Sequence, residues 1–502
     1  MHRFSNLFLC TLLTLNTCSV FAQTRIERQE QVGYADLELL LGANLEDGTG
    51  VTSAQVESAQ NEAYQPNPAS SLFNNTVFVD GKGTNSGSTS HATSVGWRMY
   101  GSQSMASGMG RATNSINGYE AVDFLVNLTG AGTGADPEPF DFNVANHSYI
   151  VNQSDTELTT DQTVNILQRF DYMANQSETT HCVGVNNGST RTTPEFMANS
   201  YNSISVGRTN GNHPRGSTTV YGVGRVKPEI VAPDSRTSFS TPLVTASAAI
   251  LHEAGAGTTA TRTETIRALL LSGATKDEFP DWDRTTTRPL DDVFGAGELN
   301  IYNSHMSLQG GEFNGSTTAP TAPVGLNGWD YEEQIVAGND MLYEFEVAPG
   351  TRLDQLSIVL CWNMDIIDTV NSSFVFIPQE NLGDLNLEFY DSSGTFLGRL
   401  LDESKSTVDN VEHIYLQDLS AGTYHLKISS DTNKDFGVAW RSTSSQVRLG
   451  DVNQDGNVNF QDVSPFIAVL SAGIYRFAAD INLDGQVNFG DITPFINLLM
   501  QQ

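Results

Sequence analysis

The chain contains few cysteines and few basic residues, and beyond its N-terminal segment it has no long hydrophobic run. Two of its four cysteines, Cys10 and Cys18, lie in that segment, so a disulfide framework is not expected. The other two, Cys182 and Cys361, are expected to be small buried hydrophobes in different domains. No later stretch is apolar for long enough to cross a membrane. The 26 Lys and Arg against 58 Asp and Glu give a net charge of −32, which argues against nucleic acid as a partner.

The N-terminal segment has the composition of a secretory signal. Residues 1–22 combine a short basic start with an apolar run and end in the small residue Ala22. This order predicts a signal peptide that is cleaved after Ala22, and therefore a secreted, soluble mature chain. Residues 23–44 are charged and contain one helical patch, from Tyr34 to Leu41.

One serine lies where a predicted strand turns into a predicted helix. Residues 230–232 form a buried type of strand that Pro233 stops, and the helix begins no later than Thr241, because Pro242 loses no needed N–H near a helix start. Ser238 is therefore expected at a helix N-terminus. The unpaired N–H groups and the dipole there can hold the negative oxygen that forms when a hydroxyl attacks a carbonyl. A plain helix cap is the alternative, since serine is favoured at that position.

Three further polar residues precede this serine in the order carboxylate, histidine, amide. Glu57 ends the strand-like run 48–58, His91 lies in a loop that leads into a helix, and Asn186 begins an Asn-Asn-Gly turn after a strand. Histidine is the natural general base because its ordinary pKa of about 6.5 lies near neutrality. Each residue also has a structural alternative: a surface glutamate, a structural histidine and a simple turn. Asp80 is the second candidate for the carboxylate.

The segments around these residues resemble the subtilisin-like serine peptidases. Residues 237–242, TSFSTP, resemble the nucleophile signature of that family, and residues 91–96, HATSVG, resemble its histidine signature. Residues 294–300, FGAGELN, resemble its closing motif. The resemblance extends over about residues 48–302. It implies a parallel sheet with helices on both faces, which the alternation of strands and helices also predicts.

The resemblance implies a role for each candidate residue. Ser238 would be the nucleophile, His91 the general base and then acid, and Glu57 the carboxylate that orients the imidazole. Asn186 and the Ser238 N–H would stabilise the oxyanion. Four positions depart from the family pattern. Arg236 and Val185 replace glycines, Glu57 replaces an aspartate, and Ser240 replaces an alanine.

These roles predict a secreted serine endopeptidase that hydrolyses protein or peptide substrates through an acyl-enzyme. Glu57 also prompts a sedolisin-type Ser-Glu-Asp peptidase, which is disfavoured because that family uses no catalytic histidine. The alternative from another class is an inactive subtilase fold that serves as a calcium-dependent extracellular binding or adhesion protein. Residues 23–44 are too short for the separate pro-domain that many secreted subtilases carry, which favours this alternative.

The second half of the chain begins with a Gly, Thr and Pro-rich linker at residues 310–325. Strand-like runs without a helix pattern follow and predict a β-sandwich at residues 341–347, 356–361, 385–390, 413–416, 423–428 and 436–440. This region resembles the pre-peptidase-like sandwich domains that are appended to secreted bacterial peptidases. Either packing or ligand binding could be its role.

The C-terminal tail contains two copies of a twelve-residue acidic loop, DVNQDGNVNFQD from position 451 and DINLDGQVNFGD from position 480. Oxygen side chains at positions 1, 3, 5, 9 and 12, with glycine at position 6, match a calcium loop; position 7 would give its backbone carbonyl. The predicted calcium ligands are Asp451, Asn453, Asp455, Asn457, Asn459 and Asp462, and Asp480, Asn482, Asp484, Gln486, Asn488 and Asp491. After each loop one apolar helix face is expected, formed by Val463, Phe466, Ile467 and Leu470, and by Ile492, Phe495, Ile496 and Leu499.

The pair of loops resembles a type I dockerin, the module that docks secreted enzymes onto cohesin scaffolds. This resemblance implies a cohesin-like or cell-surface partner. Positions 10 and 11, which are often hydroxyl residues in cohesin-binding dockerins, are Phe460 and Gln461 in one loop and Phe489 and Gly490 in the other. Calcium binding is therefore the firmer inference.

A multidomain chain is expected from these observations and from the length of 502 residues. Its segments are the signal peptide at 1–22, the subtilisin-like α/β domain at 23–308 and the linker at 309–325. The β-sandwich follows at 326–443, and the small α-helical calcium-loop pair at 448–502.

Overall fold

The computed structural model describes residues 24–73, 76–81, 87–109, 115–150, 158–189, 196–320, 322–369, 376–392 and 396–501. The predicted signal peptide lies outside the described residues. The helices are α1 (Arg25–Gln31), α2 (Tyr34–Leu41), α3 (Ser90–Tyr100), α4 (Ala121–Asp123), α5 (Thr160–Ser177), α6 (Thr237–Ala254), α7 (Thr263–Gly273), α8 (Ile301–Gly310), α9 (Val463–Ala472) and α10 (Ile492–Leu499).

The first nine strands belong to the α/β domain. They are β1 (Ser53–Glu57), β2 (Phe78–Asp80), β3 (Ile116–Glu120), β4 (Val144–His147), β5 (Thr180–Gly184), β6 (Ser203–Arg208), β7 (Gly216–Ser217), β8 (Val226–Lys227) and β9 (Ile230–Ala232). The remaining strands are β10 (Gly328–Ile335), β11 (Asp340–Val347), β12 (Thr351–Cys361), β13 (Asp365–Asp368), β14 (Pro378–Asn381), β15 (Leu385–Asp391), β16 (Leu400–Ser404), β17 (Val411–Leu419), β18 (Gly422–Ser430) and β19 (Lys434–Gln446).

Seven strands form a parallel sheet in the order β2-β3-β1-β4-β5-β6-β9, which confirms the predicted fold class. β1 lies between β3 and β4, and Val56 is opposite both Tyr119 and His147. Because the strands run in the same direction, their carboxyl ends meet at one edge of the sheet. Ligands of open α/β sheets bind at this edge.

The two faces of the sheet carry separate hydrophobic cores, because successive side chains of a strand point to opposite faces. Val144 and Cys182 belong to a core that includes α6, α7 and α8. Their neighbours Ala145 and Val183 belong to a second core that includes α5. The candidate serine is carried by the helix of the first core, α6, which is buried along most of its length.

The charged segment after the predicted signal is part of this domain. Val32 and Leu37, from the region of α1 and α2, are completely buried in the first core. Arg28 of α1 is also buried, and its guanidinium lies 3.3 Å from the carboxylate of Asp234 in the loop before Ser238. The segment therefore supports the edge of the sheet that carries the candidate site.

Eight of the strands from β10 to β19 form the predicted sandwich, with one four-stranded sheet in the order β10-β19-β12-β17 and another in the order β11-β18-β15-β16, while β13 and β14 pair separately. The first sheet packs against α7 through Val359, Cys361 and Ala439, which share one hydrophobic core with Cys182. Both cysteines are free, and burial raises the pKa of each thiol to about 12. The expectation that they are buried hydrophobes is confirmed, but they lie in a core that crosses the boundary between two domains.

Polar groups are also buried at this boundary. Arg267 of α7 forms a 2.5 Å ion pair with Glu229, which also binds Lys227 at 2.6 Å, and it donates a 3.1 Å hydrogen bond to Asn410 of the sandwich. The Asn410 amide group in turn donates to the carbonyl oxygen of Tyr201 at 3.0 Å. These contacts favour a packing role for the sandwich.

The tail has a small core of its own, which contains Phe466, Val469 and Phe495. The Phe466 and Phe495 rings stack with centroids 4.3 Å apart. Ile467 and Ile496 were expected in this core, but about half of each residue is exposed. The other expected face residues, Val463, Leu470, Ile492 and Leu499, do pack against this core, so the expected face is confirmed except at these two isoleucines.

Candidate active site

Glu57 and His91 meet at the carboxyl edge of the sheet. Glu57 is the last residue of β1 and is almost fully buried, and the Nδ1 of His91, near the start of α3, donates a 2.7 Å hydrogen bond to its carboxylate. Burial raises the pKa of the Glu57 carboxyl, and the bonds from His91 and Gln55 act in the opposite direction. A hydrogen bond from Nδ1 to a carboxylate leaves Nε2 of the imidazole as the proton acceptor.

The second oxygen of Glu57 is held by residues that the sequence analysis missed. Gln55 Nε2 donates to Glu57 Oε1 at 2.8 Å and to the carbonyl oxygen of Ala92 at 3.0 Å. The Tyr100 hydroxyl donates to Gln55 Oε1. Gln55 precedes Glu57 by two positions, so its side chain points to the same face of β1. That period of two was the only signal in the sequence.

Ser238 is the second residue of α6, which agrees with its expected place at a helix N-terminus, and it is largely buried. Arg236, where the family pattern has glycine, is the N-cap of this helix with φ −147° and ψ 153°. This backbone conformation is extended and open to any residue, and the Arg236 side chain is exposed. Arginine therefore fits the loop without strain.

His91 and the nucleophile loop come together through a ring contact. The imidazole of His91 stacks on the ring of Phe239, the residue after Ser238, with centroids 5.8 Å apart and an angle of 29°. Within the described ranges, no hydrogen bond joins the Ser238 hydroxyl to His91. Such bonds are often long before substrate binds and tighten only in the complex.

Asn186 and Asn187 follow β5 and lie beside the start of α6. Asn187 Oδ1 accepts a 2.9 Å hydrogen bond from the backbone N–H of Thr237, the first residue of the helix. Asn186 Oδ1 accepts one of 2.7 Å from the backbone N–H of Asn187. Sequence analysis selected Asn186 alone, but Asn187 also fastens this turn to the helix terminus that carries Ser238.

Asp80, the second candidate carboxylate, lies apart from this arrangement. It ends β2, the edge strand, and β3 separates it from β1. Its carboxylate accepts a 2.6 Å hydrogen bond from the Tyr64 hydroxyl. Between the two candidates, Glu57 is the carboxylate that contacts His91.

A sequence model of the Subtilase family matches residues 45–297, half of the chain. The chain belongs to the subtilase family. A model of the dockerin type I domain matches residues 449–500 of this subtilase. No curated protein sequence matches the chain.

Similar solved structures include a protease from Pseudoalteromonas arctica PAMC 21717, at 15% identity and a TM-score of 0.32, over 55% of this subtilase and 95% of that chain. Tripeptidyl peptidase 2 has 10% identity and a TM-score of 0.29, over 71% and 40%. The serine protease MycP1 of the type VII (ESX-1) secretion system has 14% identity and a TM-score of 0.33, over 55% and 88%.

The two tail loops of the subtilase have the same internal hydrogen bonds. In the first loop, Asp451 accepts from the backbone N–H groups of Asp455 and Gly456, and Asp462 accepts from those of Asn453 and Asn459. Asp480 and Asp491 accept from the corresponding groups of the second loop. Gly456 and Gly485, at position 6 of each loop, have φ of 86° and 82°, where glycine is favoured.

These loops fit a calcium ion by the chemistry of their donors. Asp451, Asp462, Asp480 and Asp491 are all buried, and no Lys, Arg or His of the described residues forms an ion pair with them. Buried carboxylates in proteins either pair with a cation or coordinate a metal ion. Among the described residues, no three or more His, Cys, Asp and Glu side chains form a group that could hold a metal ion. A calcium ion in either loop would therefore also need the asparagine and backbone oxygens that the loop pattern predicts.

Proposed function

We propose that this subtilase is an exported serine endopeptidase in which Ser238, His91 and Glu57 form the catalytic triad. The observation that carries the proposal is the 2.7 Å hydrogen bond between Glu57 and His91, next to the helix terminus that bears Ser238. The signal-like N-terminus supports export. Among the described residues, no helix is long and apolar enough to span a membrane.

In the proposed mechanism, His91 Nε2 removes the Ser238 proton as Oγ attacks the scissile carbonyl carbon. The oxyanion that forms accepts hydrogen bonds from the Ser238 N–H and from the Asn186 side chain. His91 then gives the proton to the leaving amine, which departs and leaves an acyl-enzyme. Water attacks the acyl group with His91 again as the base, and Ser238 is regenerated. Glu57 holds the imidazole tautomer and stabilises its charged form.

Glutamate can take this role in place of the aspartate of the family, because neighbouring side chains hold both of its carboxylate oxygens. Gln55 holds one carboxylate oxygen of Glu57, which leaves the other for His91. The longer side chain thus has a bonding partner at each oxygen. The geometry supports a glutamate that orients the histidine as an aspartate does elsewhere.

Labelling with a fluorophosphonate probe tests the proposal. The unmutated protein should become labelled at Ser238, and Ser238→Ala should abolish both labelling and the hydrolysis of a denatured protein substrate. A protein that binds no probe and cleaves no substrate in a peptide library would instead be an inactive subtilase fold. Cleavage within long peptides, rather than at their ends, distinguishes an endopeptidase.

The tail is proposed to bind two calcium ions and to attach the enzyme to a cohesin-like or cell-surface partner. The dockerin match and the two buried aspartates of each loop support calcium binding. Phe460 and Phe489, at equivalent positions of the two loops, are each 80% exposed. A pull-down with purified cohesin domains, with and without chelator, tests the partner.

A further inference from the structure

An arginine lies behind the ring that contacts the proposed catalytic histidine. The guanidinium carbon of Arg98 is 4.0 Å from the centroid of the Phe239 ring. Arg98 follows His91 by seven positions in α3, so both side chains lie on one face of the helix. Phe239 follows Ser238 directly, so its ring connects the histidine helix with the nucleophile loop.

Arg98 is itself held in a fixed position. Its Nε donates to Asp234 Oδ2 at 2.6 Å, its Nη2 to Asp234 Oδ1 at 3.3 Å, and its Nη1 to the carbonyl oxygen of Ser94 at 3.0 Å. This two-pronged pairing restricts the plane of the guanidinium. Arg28 makes a second ion pair with Asp234 at 3.3 Å, and its side chain and those of Asp234 and Arg98 are at most 10% exposed.

A hydrogen bond at Nδ1 fixes one point of an imidazole but not the tilt of its ring about that bond. Proton transfer from Ser238 requires Nε2 to point at the serine oxygen, so the tilt matters for catalysis. The Phe239 ring is the aromatic side chain of the described residues that stacks on His91. The Phe239 ring can fix the tilt only if it does not turn itself, and Arg98 lies against it.

We propose that Arg98 is a positioning residue for His91 and acts through the ring of Phe239. This inference rests on the proposed peptidase function. Arg98 touches neither the substrate nor the reacting atoms; it holds the ring that sets the plane of the imidazole. Its loss should lower turnover at each active site and leave substrate binding unchanged.

The test compares Arg98→Ala, Arg98→Lys and Phe239→Leu with the unmutated full chain. Active sites are first counted by complete fluorophosphonate labelling, so that kcat is expressed per labelled site. Arg98→Ala and Phe239→Leu should each lower kcat about tenfold to a hundredfold at constant KM, because small misplacements of a catalytic group have costs of this size. Arg98→Lys should recover part of the loss, since it keeps a cation over the ring.

Arg262→Ala is the matched control. Arg262 also lies over an aromatic ring, that of Tyr331 at 5.3 Å, and forms an ion pair with Glu178 at 2.9 Å, but it is part of no site described above. Its replacement should leave kcat per labelled site unchanged. A purely structural role of Arg98 would lower the labelled fraction and the melting temperature without lowering kcat per site, and that result would overturn the proposal.

The double variant Arg98→Ala/Phe239→Leu completes the test. If Arg98 acts through Phe239, the double variant should lose no more turnover than the worse single variant. Additive losses would overturn the proposal, because Arg98 would then act by another route. If Arg98→Ala does not fold, the cycle is run with Arg98→Lys. Absence of labelling in the unmutated protein would instead refute the peptidase function itself.

Discussion

The side-chain hydroxyl of Ser148 donates a 2.9 Å hydrogen bond to the main-chain carbonyl oxygen of Ser238. In a regular helix this carbonyl would accept from the N–H of residue 242, but Pro242 has none. Ser148 supplies the missing donor from the end of β4. Asn146 donates to Ser148 at 2.9 Å and accepts from Thr245 at 3.1 Å, so the strand and the helix are joined by buried side chains.

Ser148→Ala should therefore destabilise the protein and misplace the nucleophile. The Ser238 carbonyl would be left unpaired in a buried position, at a cost of about 1–3 kcal/mol. Denaturant titration should show this loss, and kcat should fall. Ser58→Ala, at an exposed serine, is the control and should change neither quantity. Full stability of Ser148→Ala would show that the bond contributes nothing.

Replacement of Glu57 tests the orienting carboxylate. Glu57→Gln keeps the shape of the side chain but removes its charge, and kcat should fall by about three to four orders of magnitude, as in other serine peptidases that lose this carboxylate. The kcat of Glu57→Asp should lie between those of the unmutated protein and Glu57→Gln, because the shorter side chain keeps the charge but reaches less far from the end of β1. Kinetics with a fluorogenic peptide measure both variants. A Glu57→Gln variant with normal kcat would remove Glu57 from the triad.

Acid should destabilise the fold through two buried histidines. His147 Nε2 and His181 Nδ1 are 2.9 Å apart among phenylalanine rings, and burial lowers the pKa of His147 to about 3 and that of His181 well below its usual value. The unfolded chain takes up protons near pH 6.5. In the folded chain, His147 takes up its proton only near pH 3. The unfolded chain therefore binds more protons between about pH 6.5 and pH 3, and the free energy of unfolding falls as the pH is lowered through this range.

His181→Gln removes one of these protons and keeps an amide that can pair with His147. The decline of the free energy of unfolding between pH 6.5 and 4.5 should become shallower by up to about 1.4 kcal/mol per pH unit. Urea denaturation across this range measures the slope. An unchanged slope would mean that His181 already accepts a proton in the folded protein.

Calcium should bind the tail with a stoichiometry of two. Asp451→Ala and Asp480→Ala should each leave one site, because each removes the buried carboxylate at the first position of its loop. Isothermal titration with calcium measures the number of sites, and a chelator should lower the melting temperature of the tail. Glu333→Ala, at an exposed acid in the sandwich, should retain both sites. Two sites in either aspartate variant would contradict the assignment.

The sandwich should contribute to the stability of the peptidase domain. Arg267→Leu would leave Glu229 buried with Lys227 as its remaining ion-pair partner, at a cost of about 3–5 kcal/mol. In a denaturant titration of this variant, the loss of activity and the loss of far-UV circular dichroism should occur at the same, lower denaturant concentration. Arg399→Leu, at an exposed ion pair, should cost less than about 0.5 kcal/mol. A small effect of Arg267→Leu would indicate that the interface relaxes.

The fold and the positions of the candidate site residues could be predicted because their signals are local. Proline at position 242, the small apolar residues of α6 and the strand ahead of it predict both the helix and the position of Ser238. The parts that could not be predicted depend on contacts between distant segments. Nothing near Arg98 in the sequence indicates Asp234 or Phe239, and Gln55 gains its partners only when β1 and α3 meet.

The tail shows the same limit at smaller scale. The repeat predicts the two loops and their helices, since the ligand pattern is contiguous. The burial of Ile467 and Ile496 depends on how the two helices cross, which periodicity does not specify. Conversely, no feature of the sequence indicated that the sandwich packs on α7. The strand residues that face α7 follow the same alternation of apolar and polar residues as other strands.

The hydrophobic core that runs from Cys182 through α7 to Cys361 has a consequence for protein engineering. If the chain were cut between the α/β domain and the sandwich, each fragment would expose apolar surface that is now buried. These two parts should therefore be expressed and redesigned together. The tail closes its core on itself, which makes it the portable unit of the chain. Grafting it onto another protein should transfer the proposed calcium sites and leave the α/β domain and the sandwich intact.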